Sequence, residues 1–558
     1  MATIGIAIFI SNLFIFFIGT YFFTISFVTP AVLQTILLAA GTDYSIFLIS
    51  RYRDERLDGK SREEAVRQSV TWAGESIATS GGAVLLSFAT LGLASFPVVK
   101  TMGISLGFAI FMAIILSITL IPSIVLLVGN KVFWPHNRQM RKLRKENKKM
   151  KSLSRKYFAA SARFSMKHAE VIVLFAILIS MPATFLVLTQ PPSYDISAGV
   201  PATESSEGLD AMSNAFGAGY FYKSYIVVRF PDEIITPNGD LSIPKMYAIE
   251  NLTVGIQNQN FGVKSTQGPV NPGGTILPYK NWAVLSTAER QQLITAVRPY
   301  VGLDNRTARI DVMLSASVFS GDAVKAIDQV TSDVARIRES DPILASSQIY
   351  IGGATAMIRD VAVSTNQDLQ VMAIVVAIGL FIILMLVLGS ILIPLRAIVT
   401  ILLSITWTLA ITIVVFKLWQ GLDMIFVLPL IVFVLAMGLG MDYDIFIITR
   451  VREEVSKGRT DKQAIMISIS RTGGIVSACG IIMAGAFFSL MLSNLPLLQE
   501  MGFALAFVVL IDSMVVRIYL VPAIMVLAGK YNWWAPRFLQ RVRRNDGGSR
   551  LGRKPKKE

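Results

Sequence analysis

The chain has 558 residues, of which 53% are hydrophobic and 16% charged, a balance that no ordinary soluble domain of this size shows; the apolar excess must face lipid. Its 52 Lys and Arg against 37 Asp and Glu give a formal charge of +15, yet no basic module interleaved with aromatics accompanies that charge, so nucleic acid is not an expected partner. The single cysteine, Cys479, rules out an intramolecular disulfide.

In chain order, apolar runs of about twenty residues, the length that crosses a hydrocarbon core, recur ten times. They lie near 3–23, 27–49, 75–96, 101–128, 170–189, 370–390, 396–418, 425–449, 473–493 and 501–528. The first lacks a basic leader and a small-residue cleavage site, so it reads as a retained helix. Short connections are expected around Thr24 and Gly421. The segments 61–71 and 459–470 alternate polar and apolar residues and read as interfacial amphipathic helices.

The basic residues crowd into Arg51–Arg67, Lys131–Lys167, the turn at Arg396 and Lys530–Lys557. Threaded through ten alternating spans, all four fall on one side, which predicts a multi-pass protein of the cell membrane with both termini cytoplasmic. The long polar stretch after Pro191 then lies on the opposite, external side. Strands are expected there at Ser224–Phe230, Ala308–Leu314 and Gln348–Gly352, helices near Lys245–Gln257, Thr287–Val297 and Gly321–Arg338, and a loop over Asn260–Asn281. The expected fold is a membrane all-α bundle of about ten transmembrane helices with one external α+β domain. Its parts are a first half over 1–129, a basic cytoplasmic linker over 130–167, a span over 168–190, the external domain over 191–368, a second half over 369–529 and a basic cytoplasmic tail over 530–558.

Comparing the chain with itself reveals a duplication. Gly41, Asp43, Tyr44, Ile46, Phe47, Ile49, Arg51, Arg53 and Glu55 recur as Gly440, Asp442, Tyr443, Ile445, Phe446, Ile448, Arg450, Arg452 and Glu454, at an offset of 399. The match persists through Phe108 and Phe507, then slips by one to align Pro122 with Pro522. Ahead of its repeat the second half has a span, an external domain and another span, and the first half has no counterpart to these. The expectation is a partner chain that supplies them, a misassigned start or a decaying copy.

Asp43 and Asp442 each stand eight residues before the arginine that ends their helix, about 12 Å below the surface at 1.5 Å per residue. A carboxylate at that depth costs about 3 kcal/mol, and its short side chain cannot reach the interface. Two such costs at matching positions predict a proton relay of Asp43, Tyr44, Asp442 and Tyr443, with each Asp reaching the Tyr beside its counterpart. The bland alternative is a pair of buried acids that only fix helix register. Asp444, Asp512 and Arg517 have no match in the first half and are expected to form a structural charge network. Gly81, Gly82, Gly473, Gly474 and Gly480 would let the third and ninth spans pack against the relay helices. No catalytic residue, cofactor or metal site is expected.

The Gly-x-Asp-Tyr-x-x-Phe string, present twice, together with Asp512, Arg517 and Pro522 on the last helix and Gly352, Gly353, Ala354 and Thr355 closing the external domain, resembles the MMPL family of the resistance-nodulation-division superfamily. The resemblance implies export of lipids or other hydrophobic molecules driven by protons, with the Asp-Tyr pairs as the relay and an external porter domain. Members of that family have twelve spans and two porter domains, so this chain would act as part of a split transporter or as a homo-oligomer. Its expected partners are membrane lipids, a hydrophobic substrate and protons. Two other readings are a superfamily relative that assists protein translocation or senses sterols, and an intramembrane aspartyl protease, since Gly438, Gly440 and Asp442 nearly spell Gly-x-Gly-Asp.

Overall fold

The computed structural model describes residues 2–57, 59–129, 155–190, 193–194, 203–217, 220, 222–259 and 262–534. Most of the expected linker and nearly all of the basic tail lie outside the described residues. The chain divides into two compact units, Met1–Gln190 with Thr365–Glu558, and Pro191–Ser364.

The first unit is a helical bundle. Its first half comprises α1 (Ala2–Tyr21), α2 (Val28–Leu57), α3 (Arg62–Leu91) and α4 (Pro97–Val128). A helix over 155–167, α5, leads into α6 (Ala169–Thr189). The second half runs through α12 (Ala354–Leu388), which begins in the other unit, then α13 (Leu392–Gln420), α14 (Leu428–Ser456), α15 (Asp461–Phe488) and α16 (Pro496–Leu510). A π-helical segment, Ile511–Leu520, and α17 (Val521–Ala528) follow. Among the described residues nine helices are long and apolar enough to cross a membrane. The run expected over 75–96 is the second part of α3, where Glu75 and several Ser, Thr and Gly keep the helix below that measure. Burial explains this polarity: Ser69, Ser80, Ser87 and Thr90 are all enclosed by protein, where helix–helix contact tolerates hydroxyls.

The two expected interfacial helices are absent as separate elements. Residues 62–71 and 461–470 are the opening turns of α3 and α15, started by Ser61 and by a Thr460–Gln463 capping box, and the chain then continues straight into the bundle. Arg396 also departs from expectation. It is 6% exposed and paired with Asp444, so it is a compensated interior charge and not a surface cation that sets topology.

The duplication holds in three dimensions. Leu91 packs where a Cβ on Gly103 would sit, and Leu490 does the same at Gly502. Phe47 meets its own counterpart Phe446, with ring centroids 4.8 Å apart, so α2 and α14 touch at the axis relating the halves.

The second unit is built on a four-stranded antiparallel sheet of β1 (Ser224–Arg229), β2 (Val263–Gln267), β3 (Thr307–Leu314) and β4 (Gln348–Gly353), ordered β2-β3-β1-β4. Helices α7 (Glu204–Phe216), α8 (Ile243–Gln259), α9 (Thr287–Val297), α10 (Gly321–Ser340) and α11 (Pro342–Ala345) complete it. Ile226, Val228, Ile310 and Val312 of the sheet bury against Ile249, Leu252, Ile327 and Val330 of α8 and α10. The stretch read as a loop over Asn260–Asn281 contains β2, which pairs with β3 across a bulge between Val263 and Ser265. At the end of β4, Gly353 takes φ +109° with the Lys223 carbonyl 2.7 Å from where a Cβ would stand, so only glycine fits that turn into α12.

Candidate functional site

Asp43 and Asp442 lie on α2 and α14, enclosed in the bundle at 1% and 4% exposure. The Tyr443 hydroxyl donates to Asp43 Oδ2 at 2.8 Å and also approaches the Met483 sulfur at 3.8 Å. The reverse contact does not form: the Tyr44 hydroxyl is buried with no hydrogen-bond partner among the described residues. It faces Gly81 instead, where an added Cβ would stand 3.4 Å away.

Two further side chains complete the site by the same symmetry. The Cys479 thiol of α15 is in hydrogen-bonding reach of Asp43, and the Ser80 hydroxyl of α3 is in reach of Asp442. Positions 80 and 479 are 399 apart, so each helix that flanks a relay helix lends one small donor to the opposite half's acid. The repeat offset could have singled them out. Oδ1 of each aspartate is left without a hydrogen-bond partner among the described residues, which is the condition of an acid that can take up or pass on a proton.

Beside this pair lies a balanced set of four buried charges. Arg517 holds Asp512 Oδ2 through Nε and Nη2 at 3.1 and 2.9 Å, is ion-paired with Asp444, and donates through Nη2 to the Gly440 carbonyl at 2.6 Å. Arg396 binds Asp444 Oδ1 at 3.0 Å. The three residues expected to form a network are thus in contact. The fourth, Arg396, was missed because a lone arginine after an apolar run reads as a membrane-surface cation. A narrow cavity is lined by Ser404, Leu435, Gly440, Tyr443, Val509 and Asp512 among others, so it touches both this set and Tyr443.

Of the glycines expected to draw the flanking helices inward, Gly81 lies against Tyr44 and Ile114, whereas Gly473 lies against Phe158 and Gly480 against Ser513. Only the first touches a relay residue. Among the described residues no cluster of His, Cys, Asp and Glu could hold a metal ion.

The chain is 26% identical over 542 residues to membrane protein YdfJ of Bacillus subtilis, with 94% of this chain and 66% of that protein covered. It is 23% identical to the mycolic acid-containing lipids exporter MmpL11 of Mycolicibacterium smegmatis (97% and 53% covered) and 26% identical to the apo-petrobactin exporter of Bacillus anthracis (90% and 63% covered). The chain therefore spans between about half and two thirds of the length of these curated relatives. The sequence profile of the MMPL family matches residues 1–167 and 201–551, and with its apolar helices and duplicated Asp-Tyr motif the chain belongs to the MMPL family of multi-pass membrane proteins.

Proposed function

We propose that this chain exports lipids or other hydrophobic molecules across the cell membrane at the expense of the proton gradient, alone as an oligomer or as one part of a split transporter. The observation that carries this reading is the enclosure of two carboxyls where the duplicated halves meet, each with one bare oxygen and with donors supplied by the other half. An acid so placed can load a proton from one side and release it to the other as water access alternates. A proton falling through 100 mV releases about 2.3 kcal/mol, enough to bias a two-state bundle.

In this reading the arginine-rich ends of α2 and α14 face the cytoplasm, as do both termini, the 130–167 linker and the 530–558 tail. The unit over 191–368 is then the external porter domain. The names of the lipid and siderophore exporters support a hydrophobic or amphipathic cargo. The test is proton uptake into proteoliposomes under an imposed pH gradient. Uptake should be lost in Asp43→Asn and in Asp442→Asn; uptake unchanged in both variants rejects the relay.

A further inference from the structure

The two halves stay in register at an offset of 399 as far as Phe108 and Phe507, yet Pro122 and Pro522 are 400 apart. The second half therefore carries one residue more than the first between those landmarks. Residues Ile511–Leu520 are wound as a π-helix, whereas α4 stays α-helical through the matching stretch although Pro122 sits inside it. The extra residue, and not the proline, accounts for the wider winding, in which each N–H bonds five residues back.

That winding decides which side chains can meet. Five residues along an α-helix turn through about 140°, which would hold Asp512 and Arg517 on different faces. Five residues along a π turn return to nearly the same face, and the two are joined by a forked ion pair. Arg517 also grips the Gly440 carbonyl, two residues ahead of Asp442, which places its guanidinium one helix turn or less from that acid's own backbone. On the other side, glycine at 480 leaves room for Ser513 of the π segment against α15, next to the Cys479 that reaches Asp43.

Arg396 and Arg517 already balance Asp444 and Asp512, so an ionised Asp442 adds a negative charge that nothing in the set offsets. The titratable and charged groups that act on Asp442 are Asp43 and Tyr44 of α2, Tyr443 of α14 and Arg517; beyond them stand Cys479 of α15, which reaches Asp43, and Asp444, Arg396 and Asp512, which pair with Arg517 or with each other. We propose that the π segment Ile511–Leu520 is the mechanical responder to the charge on Asp442. With Asp442 neutral, Arg517 stays on Asp512 and the π turn is held. With Asp442 ionised, Arg517 is drawn off Asp512 and the segment rewinds, shifting the end of the last helix against α15. This rests on the reading that Asp442 gains and loses a proton.

The experiment is hydrogen–deuterium exchange of the full chain in lipid nanodiscs across the neutral pH range, corrected for intrinsic exchange rates. In the wild type, protection of the 511–520 amides should change several-fold with pH. In Asp442→Asn it should be flat at the neutral-acid value, and in Asp512→Asn, which keeps a carbonyl for Arg517 but loses the charge, protection should already be lowered. Deleting the lipid-facing Val515 restores the 399 offset and should abolish the pH response. If that variant does not fold, the two Asn variants decide. A pH response in Asp442→Asn equal to that of the wild type, or none in the wild type, overturns the proposal. Proton uptake lost in the Asp43 and Asp442 variants with a pH-independent 511–520 segment would remove this inference and leave the relay standing. A responsive segment with unaffected uptake would do the reverse.

Discussion

Tyr443 donates its hydroxyl to Asp43 across the axis that relates the two halves, while Tyr44, its counterpart, finds no partner beside Asp442. The duplication has left two unequal acids. Asp43 accepts the Tyr443 phenol and has the Cys479 thiol near it, whereas Asp442 has only the Ser80 hydroxyl in reach among the described residues. The inequality has consequences for which side chains matter.

Tyr443→Phe should therefore lower proton uptake about tenfold, the worth of one hydrogen bond to a charged group at about 1.5 kcal/mol or more. Tyr44→Phe removes a hydroxyl that bonds nothing here and should change uptake about twofold or less. Equal losses in the two variants, measured side by side in proteoliposomes, would show that the asymmetry has no functional meaning.

The four buried charges are costly to unpair one at a time. Arg396→Leu leaves Asp444 with Arg517 as its remaining cation and should cost about 3–5 kcal/mol, as breaking a buried pair does. The double variant Arg396→Leu/Asp444→Leu removes both charges and should recover most of the loss, with Arg517 still bound to Asp512. Thermal unfolding midpoints of the wild type, the single variant and the double variant in one detergent give the comparison, and a double variant no more stable than the single would contradict it.

At the hinge between sheet and helix, Gly353→Ala places a methyl against the Lys223 carbonyl in a backbone conformation that L-residues avoid. A loss of about 2 kcal/mol is expected, confined to the β1–β4 pairing. Exchange protection of residues 224–229 and 348–353 should fall while that of the bundle holds; a uniform fall would point elsewhere.

Glu250 supplies a prediction in pH. Burial pushes its carboxyl up, but the hydrogen bonds from Lys280 at 2.8 Å and from Tyr279, with the Lys280 charge, outweigh that and hold it below the usual range. A depressed folded-state pKa contributes stability that is present above the unfolded value and lost as pH falls through the folded one. The Pro191–Ser364 unit should thus lose this contribution on acidification below about pH 4, and Glu250→Gln should remove that part of the acid sensitivity. An unchanged acid profile in the variant would show that the contact contributes nothing.

The bundle was legible because lipid demands long apolar runs and a duplication writes the buried Asp-Tyr pair twice. Asp43, Tyr44, Asp442 and Tyr443 stood out for that reason, as did strands β1, β3 and β4, whose alternating apolar residues face a core. Strand β2 was not legible: Val263–Gln267 is a short, polar sequence between glycines, and its partner β3 lies more than forty residues away. Arg396 was misread since an arginine near the end of an apolar run looks the same in sequence whether it meets headgroups or a buried Asp444. The run over 75–96 was read as a span although α3 carries Ser and Thr, which count as polar in composition but bond back to their own helix, as Ser69 and Ser87 do.

Cys479 gives the molecule a gauge of its own. It is the one sulfhydryl in the chain, it is sealed from solvent, and it leans on Asp43. A small maleimide or methanethiosulfonate can reach it only when water does, so the rate of alkylation reports how often water reaches the surroundings of Asp43, and applying the reagent from one face or the other tells from which side.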